Sequence, residues 1–374
     1  MLTYTDLNEE KNLGYIKEVQ HHKWPELFLY DYTRKTEEEN HWNATTLNCR
    51  GIVIQYLSHF HNDWSTEIIS RPFRKFFNHG DIHGTKLLDN EKNYKTEITQ
   101  KIDGSMIVVS AYRGDLIVNT RGSFTSWQAE RAKELLNEKY LKTKKTILEE
   151  RGLTFLFEFT SPENTVVLPY KDESLTLIGI NITAPQWIEG TERHELSIFE
   201  KEGKRIAKKL DTPKVKNYKN ETLENIKALD KEGEEGFVVN YLKNQFIVKK
   251  EKIKFDSYVK KHKIISSLSD KKIVENLVKN KKMIEEIENT LTEEWKNHIN
   301  KLRNLVKYTE EKLISNDIKE ALDIAKNMTN KEIGKTEKIP NEMKSFVFLE
   351  RKAETKKFNK LLQKKIIERT LKNL

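Results

Sequence analysis

The sequence predicts an α+β protein in which a domain of antiparallel sheets with helices is followed by an all-helical domain. Up to about residue 250, runs rich in Val, Ile, Phe and Tyr alternate with polar residues, as half-buried antiparallel strands do. Beyond about residue 255, apolar residues recur at steps of three and four, which is the spacing of one helix face. A length of 374 residues suits two domains.

Eight apolar runs in the first part of the chain are predicted to be strands. They are LFLYDY (27–32), GIVIQYL (51–57), SMIVVSAY (105–112), DLIVNT (115–120), TFLFEFT (154–160), SLTLIGINIT (174–183), GFVVNYL (236–242) and QFIVKK (245–250). Residues 113–115 and 243–244 have the composition of turns, so we expect them to close hairpins. The spacing over 126–148 predicts a helix.

The second domain is predicted from helical periodicity alone. Its apolar positions are Ile264, Ile273, Leu277, Ile284, Ile287, Leu291, Phe358, Leu361, Leu362, Ile366, Ile367 and Leu371. The sequence has no internal repeat and no Gly/Ser-rich linker, so we place the boundary where the period changes. The predicted domains are residues 1–254 and 255–374.

The composition excludes several classes of protein. With 33% charged residues and no apolar stretch of about 18 residues, a transmembrane span is not expected. The first twelve residues, MLTYTDLNEEKN, contain acidic pairs and no apolar core, so we do not expect a secretory signal. The single cysteine, Cys49, excludes a disulfide framework and a cysteine-built zinc site. We therefore expect a cytoplasmic protein without a membrane partner.

The positive charge is concentrated in the last third of the chain. Residues 1–250 contain 37 basic and 38 acidic side chains, whereas residues 251–374 contain 30 basic and 20 acidic ones. Residues 351–372 alone hold nine basic and two acidic side chains. This asymmetry favours a polyanionic partner, although Lys- and Glu-rich helices are also often simply solvated.

Lys101 begins the sharpest local motif, KIDGS (101–105), which leads into an apolar strand. A lysine at a strand edge can be partly desolvated, and an amine in that state is a nucleophile. Gly104 permits close approach of the backbone to a nucleotide. Taken alone, the motif is weak, because many turns with a solvated lysine match it.

Further motifs surround Lys101 in a fixed order. They are CRG (49–51), SRPFRKFFN (70–78), RGS (121–123), FEF (157–159), EGFVV (235–239) and a lysine-rich segment (249–254) followed by Tyr258. This ordered set resembles the covalent nucleotidyltransferase superfamily of ligases and capping enzymes. Within it, the chain is most similar to the bacteriophage RNA ligase 1 family, over roughly residues 27–262. The resemblance implies a nucleotidyltransferase domain of ATP-grasp-like ligase type.

The resemblance implies a role for each motif residue. Lys101 is the nucleophile that takes AMP from ATP, and Glu235 is the ligand for magnesium or for a catalytic water. The nucleotide-binding residues are Tyr30, Arg50, Lys75, Glu158, Lys249, Lys252 and Lys254. The supporting residues are Asp103, Gly104, Arg121 and Tyr258. Only one of Lys249 and the pair Lys252 and Lys254 is expected to contact phosphate, and Tyr258 favours the pair by its spacing.

Physical chemistry supports several of these roles and leaves alternatives. The planar guanidinium of Arg50 suits bidentate phosphate binding. Glu158 lies between aromatic residues, where an unpaired carboxylate is costly to bury, so it needs ribose hydroxyls or a core salt bridge as partners. Glu235 has Glu234 beside it and is alternatively part of a solvated acidic turn. Tyr30 is alternatively a core aromatic residue.

The activity implied by the resemblance is that of an ATP-dependent RNA ligase. Lysyl-AMP forms first, AMP then passes to a 5′-phosphate RNA end, and a 3′-hydroxyl displaces it. ATP and Mg²⁺ are the expected cofactors, and nicked tRNA is the expected RNA partner. We expect a monomer that works in the cytoplasm, or in the host cytoplasm if a bacteriophage encodes it.

Two alternatives remain from the sequence. A DNA ligase or capping guanylyltransferase would normally append a barrel of short strands, whereas helices follow here. A non-catalytic RNA-binding protein would need positive charge but not these particular positions. The histidines of 59–63 and 79–83 are interpreted as turn residues rather than metal ligands, and Cys49 as a small packed residue.

Overall fold

The computed structural model describes residues 2–60, 63–81, 94–188, 191–219, 221–231, 233–288, 291 and 293–374. Contacts divide the chain into two compact units, Met1–Val259 and Lys260–Leu374. The predicted architecture, antiparallel sheets with helices followed by helices, is confirmed. Among the described residues, none of the helices combines the length and the apolar character needed to cross a membrane.

A four-stranded antiparallel sheet forms the first layer of the first unit. Its elements are α1 (Tyr4–Asn12), β1 (Ile16–Gln20), β2 (Leu27–Tyr32), α2 (Arg34–Glu38), α3 (Ala44–Asn48), β3 (Arg50–Phe60) and β4 (Asp63–Ser70). The strands lie in the order β1-β2-β3-β4. Lys17 pairs with Asp31, and Asp31 with Arg50, so one row of charged residues crosses this sheet.

A nine-stranded sheet forms the second layer. Its elements are β5 (Phe77–Asn78), β6 (Lys95–Lys101), β7 (Ser105–Tyr112), β8 (Asp115–Asn119), α4 (Trp127–Glu138), α5 (Leu141–Glu149), β9 (Leu153–Thr160), β10 (Ser174–Ile188), β11 (Thr191–Leu196), α6 (Lys201–Ala207), α7 (Leu223–Lys227), β12 (Gly236–Lys243) and β13 (Phe246–Lys254). The order is β6-β12-β13-β11-β10-β9-β7-β8, with β5 beside β13. Residues from α4, α5 and the central strands share the largest buried core of this unit.

The second unit is helical throughout its described part. Its elements follow α8 (Asp256–Ser267), which crosses the division between the units, and are α9 (Asp270–Lys279), α10 (Lys281–Glu288), α11 (Glu293–Lys312), a π-helical segment (Leu313–Ile318), α12 (Lys319–Ala325), α13 (Asn330–Lys335), α14 (Asn341–Arg351) and α15 (Thr355–Lys372). The predicted apolar positions supply much of its core, including Ile273, Leu277, Ile284 and Ile366.

Several predicted boundaries were wrong. The helix expected over 126–148 is two helices, α4 and α5, because Tyr140 leaves the helical conformation and its ring is buried in the core. The strand expected to end near Lys250 continues to Lys254. β6 escaped prediction because its buried residues include Glu97 and Thr99, so no apolar pattern marks it.

Gly104 joins β6 to β7 at a point of close backbone approach. A Cβ atom there would lie 2.4 Å from the carbonyl oxygen of Phe159 and 3.1 Å from Cγ of Glu158. Any side chain would therefore separate the loop after Lys101 from β9. The glycine lets the motif residues Lys101 and Glu158 face the same space.

Substituting Gly104→Ala should lower the Tm of the first unit by about 5 °C. Overpacking of this kind costs about 1–3 kcal/mol, and each kcal/mol lowers Tm by about 2–4 °C in a domain of this size. Calorimetry would measure the change. Gly334→Ala is the control, because nothing lies within 4 Å of the added Cβ there. Equal melting temperatures for the two variants would contradict the role given to Gly104.

Candidate active site

Three adjacent strands, β6, β12 and β13, place three rows of side chains on one face of the large sheet. The rows read from the strand pairing are Lys101–Gly236–Lys254, Thr99–Val238–Lys252 and Glu97–Asn240–Lys250. Side chains two residues apart on a strand share a face, so the rows form one continuous surface. Members of all three rows line a cavity of about 400 Å³.

A buried carboxylate connects the two lysines of the first row. Oε2 of Glu235 lies 2.8 Å from Nζ of Lys101, and Oε1 lies 2.8 Å from Nζ of Lys254. Gly236 separates the two lysines, and its Cβ would lie 2.0 Å from the carbonyl oxygen of Ile253. Because Gly236 has no side chain, the preceding residue can present its carboxylate between the strands on either side.

Glu158 lines the cavity from β9. The pKa of Glu158 is raised to about 7, mainly by burial and in part by the negative charge of Glu235. The positive charges of Lys101 and Arg50 act in the opposite direction. Glu158 is thus poised between its neutral and charged forms, and a ligand that donates hydrogen bonds would favour the carboxylate.

Arg50 and Lys252 bring positive charge into the buried part of the site. Nε and Nη1 of Arg50 are buried and have no hydrogen-bond partner in the part of the chain that the structure describes. Burial lowers the pKa of this guanidinium. Burial also lowers the pKa of Lys252 to about 8, together with repulsion from Lys101, Lys254 and other cations. Two desolvated cations, one of which has donors without a described partner, suit an anionic ligand.

Asp103 and Tyr258 fix the position of the loop that follows Lys101. Oδ2 of Asp103 accepts hydrogen bonds from the backbone N–H groups of Val167 and Leu168 at 2.9 and 2.8 Å. Oδ1 accepts a hydrogen bond from the hydroxyl of Tyr258 at 2.7 Å. Asp103 therefore connects the Lys101 loop to two other segments of the first unit.

The side chain of Tyr32 contacts two more of the predicted cations, Arg121 and Lys75. Its hydroxyl accepts hydrogen bonds from Nη1 of Arg121 at 2.8 Å and from Nζ of Lys75 at 3.1 Å. The ammonium of Lys75 also lies 4.7 Å from the ring centroid of Tyr32 and 4.8 Å from that of Trp42. Lys75 and Lys252 line a second cavity of about 470 Å³.

Tyr30 does not reach the cavity, contrary to its predicted place among the nucleotide-binding residues. Its hydroxyl is hydrogen-bonded to Glu18 and Tyr56, and its ring is buried in the core of the four-stranded sheet. The alternative interpretation as a core aromatic residue describes its position. Tyr32, two residues further along the same strand, is the aromatic residue beside the cations, and the sequence contains no signal that separates the two.

Lys249 lies on the opposite face of β13 from the cavity. Its Nζ is 3.0 Å from Oε1 of Glu251, whose other oxygen accepts a hydrogen bond from the hydroxyl of Tyr241. The structure therefore does not bring Lys249 to the other predicted site residues. Lys250, which we did not predict, faces the cavity and pairs with Glu195 at 3.0 Å. Lysines at every second position, 250, 252 and 254, would have predicted that Lys250 shares a face with the other two, but only if the strand is known to continue beyond Lys250.

A divalent cation would have few protein ligands here. No group of three His, Cys, Asp or Glu residues is arranged to hold a metal within the described ranges. Mg²⁺ often uses one or two carboxylates and completes its shell with water and substrate phosphates, so Glu235 fits that mode. Of the histidines considered above, His61 and His83 lie outside the described residues, and His79 contacts Glu251.

Comparison with known proteins identifies a family and several relatives of this chain. Residues 48–264 match the family model described as RNA ligase. A candidate RNA ligase of Thermovibrio ammonificans is 34% identical over 145 residues, which are 37% of this chain and 38% of that protein. The RNA ligase of Rhodothermus phage RM378 is 24% identical over 288 residues, 63% of this chain and 64% of that protein. The chain thus covers less than two thirds of either relative.

One solved structure with a similar fold is an archaeal ATP-dependent RNA ligase in its form 2. It has a TM-score of 0.47 and 15% sequence identity, over 73% of this chain and 64% of that chain. The family model, in contrast, covers more than half of the chain and includes the segments that carry Lys101, Glu158 and Glu235. The protein belongs to the RNA ligase family of which bacteriophage RNA ligase 1 is the type.

Proposed function

We propose that the protein is an ATP-dependent RNA ligase that joins 5′-phosphate and 3′-hydroxyl RNA ends through a lysyl-AMP intermediate. The observation that carries this proposal is the position of Lys101. Its amine lies at a cavity that also contains a buried carboxylate, Glu158, and the unpartnered guanidinium atoms of Arg50. An amine nucleophile, a partner for ribose and a partner for phosphate are therefore assembled around one space.

In the first step, Nζ of Lys101 attacks the α-phosphorus of ATP. The nitrogen–phosphorus bond forms, the bond to pyrophosphate breaks, and the protons released from the amine pass to water. Glu235 pairs with the Lys101 ammonium at 2.8 Å, so this contact must be given up before the amine can attack. The neighbouring charges of Lys252 and Lys254 would stabilise the negative charge that develops on phosphate.

The cavity would hold the rest of the nucleotide through two kinds of contact. Glu158 would accept hydrogen bonds from the ribose hydroxyls, which would stabilise its charged form. Apolar side chains, including Ile178, Val215 and Val238, line the cavity and would pack against the adenine. Magnesium bound at Glu235 would offset charge on the transferring phosphate.

The second and third steps use the two RNA ends. An oxygen of the RNA 5′-phosphate attacks the AMP phosphorus, the phosphorus–nitrogen bond breaks, and Nζ of Lys101 regains a proton. A 3′-hydroxyl then attacks the activated 5′-phosphate, loses its proton and releases AMP. A buried, preorganised row of cations suits both steps, since negative charge develops on phosphate oxygens each time.

The helical unit would bind the RNA. Lys356, Lys360 and Lys364 are exposed at four-residue steps on α15, which places them on one face of that helix. Such a row can contact successive phosphates, and its sequence-independent attraction would be sensitive to salt. Within the described residues, 256–374 contain helices and no strand, which favours an RNA ligase over enzymes with an appended barrel.

We extend the proposal to sealing of nicked tRNA by a cytoplasmic monomer. This extension rests on the family resemblance of the motif residues. Lys101 and Glu158 line one cavity, and Glu235 pairs with Lys101. This favours a working enzyme over a binding protein, because a binding protein would need charge but not this arrangement.

Lys101→Ala should abolish the covalent AMP adduct and leave the fold intact. The variant lacks the amine, and the remaining partner of Glu235, Lys254, still pairs with that carboxylate. The adduct would be measured by denaturing electrophoresis after incubation with α-labelled ATP and magnesium, with labelled GTP as the nucleotide control. Circular dichroism would confirm folding. An adduct that survives the substitution would show that another residue is the nucleophile.

Affinity for an ATP analogue with an α,β-methylene bridge should be greatest between about pH 7 and pH 8. Because the pKa of Glu158 is raised to about 7, the ribose-binding carboxylate is neutral at lower pH. Because the pKa of Lys252 is lowered to about 8, the phosphate-binding ammonium loses its charge at higher pH. Calorimetric titration over the pH range would measure the loss of affinity on the acidic limb and on the basic limb of the pH profile. Glu158→Gln should remove only the acidic limb, and a wild-type affinity independent of pH would contradict the assignment.

Replacing Lys356, Lys360 and Lys364 together by alanine should weaken RNA binding about tenfold or more without changing AMP-adduct formation. Three phosphate contacts would be lost, and the salt dependence of binding should become shallower by about 2 in the log–log slope. Filter binding over a series of salt concentrations would measure this. The charge-matched control replaces the exposed lysines Lys331, Lys335 and Lys338. An equal loss in the control would assign RNA binding to diffuse charge rather than to α15.

A further inference from the structure

Lys17 and Arg121 share one buried carboxylate at the edge of the active-site cavity. Asp31 is fully buried, and its Oδ2 lies 3.5 Å from Nζ of Lys17 and 3.2 Å from Nε of Arg121. The two cations are about half exposed, at 49% and 47% of their side-chain surface. One anion therefore fixes two cations that both reach solvent, and the pair carries net positive charge.

Gly122 places the ammonium of Lys17 against the cavity wall. A Cβ atom on Gly122 would lie 2.8 Å from Nζ of Lys17, so any side chain there would push the ammonium away. Arg121 and Gly122 both line the cavity. The contact joins β1 of the small sheet to the loop after β8, and it positions a lysine that none of the sequence motifs includes.

The hydrogen-bonding capacity of this pair is only partly used. Arg121 directs Nε to Asp31 and Nη1 to the hydroxyl of Tyr32 at 2.8 Å. An ammonium has three donors and a guanidinium has five, so donors remain on both groups. Arg50 stands next to Asp31 in the strand pairing, and its charge adds to the excess. The single negative charge of Asp31 cannot neutralise the three positive charges of Lys17, Arg121 and Arg50.

We propose that Lys17 and Arg121 form a binding site for a terminal phosphate dianion, the 5′-phosphate of the RNA that receives AMP. The inference rests on the proposed function and adds a substrate-binding residue to it. A lysine beside an arginine fork is a strong phosphate-binding arrangement. The pair is accessible at the rim, which suits a macromolecular end, whereas Lys252 and Arg50 are buried among the groups that suit the nucleotide.

The pair would act in the AMP-transfer step. It would hold the 5′-phosphate while one of its oxygens attacks the phosphorus of lysyl-AMP, the phosphorus–nitrogen bond breaks and Nζ of Lys101 takes a proton. Positive charge from Lys17 and Arg121 offsets the repulsion between two phosphates that must come into contact. The terminal phosphate of ATP has the same chemistry and is the other possible source of the dianion.

The test compares the wild-type protein with Lys17→Ala in two separate assays. In the first, each protein is charged with AMP and mixed with a short 5′-phosphorylated oligoribonucleotide, and single-turnover transfer is followed. The half-saturating RNA concentration should rise about tenfold, as expected for the loss of one charge-assisted contact. The salt slope of RNA binding should fall by about 0.7. In the second assay, AMP-adduct formation is measured against ATP concentration, which we expect to be unchanged.

Three controls make the outcome specific. Lys11 is a partly exposed lysine that pairs at 3.2 Å with Glu18, whose side chain lies on the face of β1 opposite Lys17. The Lys11→Ala variant should behave as wild type. Lys17→Arg should retain RNA affinity. The same oligoribonucleotide with a 5′-hydroxyl, used as a competitor, should bind wild type and Lys17→Ala equally.

Each result has one meaning. A raised half-saturating concentration for ATP alone would keep the phosphate site and assign its ligand to the ATP terminus. No effect of Lys17→Ala in either assay would overturn the site. Failure of the wild-type protein to take up AMP would instead refute the proposed ligase activity, so the two failures are distinguishable.

Discussion

The rest of the candidate active site depends on the ion pairs made by the buried carboxylate of Glu235. It lies between Lys101 and Lys254, at 2.8 Å from each, and these lysines come from strands on either side of β12. Only one register of three strands produces this arrangement, because a slip of one residue would turn each lysine to the opposite face. Gly236 makes the register possible, since a Cβ there would meet the backbone of β13 at 2.0 Å. The same strand register therefore determines both the local fold and the positions of Lys101 and Lys254.

Burial of charge gives the site its character. Unpaired charged groups are costly to hold away from water, yet Arg50 has buried donors without a partner among the described residues, and the pKa of Glu158 is raised to about 7, mainly by burial. By contrast, Asp103 accepts three hydrogen bonds that fix the loop after Lys101. Arg50 and Glu158 both line the cavity. A nucleotide would supply what they lack, with ribose hydroxyls for the carboxylate and phosphate oxygens for the guanidinium.

The sequence predicted the fold class and the motif residues because both leave local signals. Strands of the central sheet are apolar runs, and the helical unit repeats its apolar positions at three and four residues. Other elements left no such signal. β6 buries Glu97 and Thr99, which makes it look polar, and the break at Tyr140 depends on a core pocket for its ring. The end of β13 was predicted too early because three of the four residues 251–254 are charged. Pairing with β12 nevertheless continues the strand through these four residues.

The sequence by itself determined the α+β plus helical architecture, through its composition and apolar period, and the RNA ligase resemblance, through its motif order. The resemblance implies the site roles of Lys101, Glu158 and Glu235. Only the tertiary structure decided which neighbours join them. Tyr32 rather than Tyr30 contacts the cations, Lys250 rather than Lys249 faces the cavity, and Lys17 reaches the rim across Gly122. The physical reason is that alternation along a strand is local, whereas the face that meets the cavity is set by pairing between strands distant in sequence.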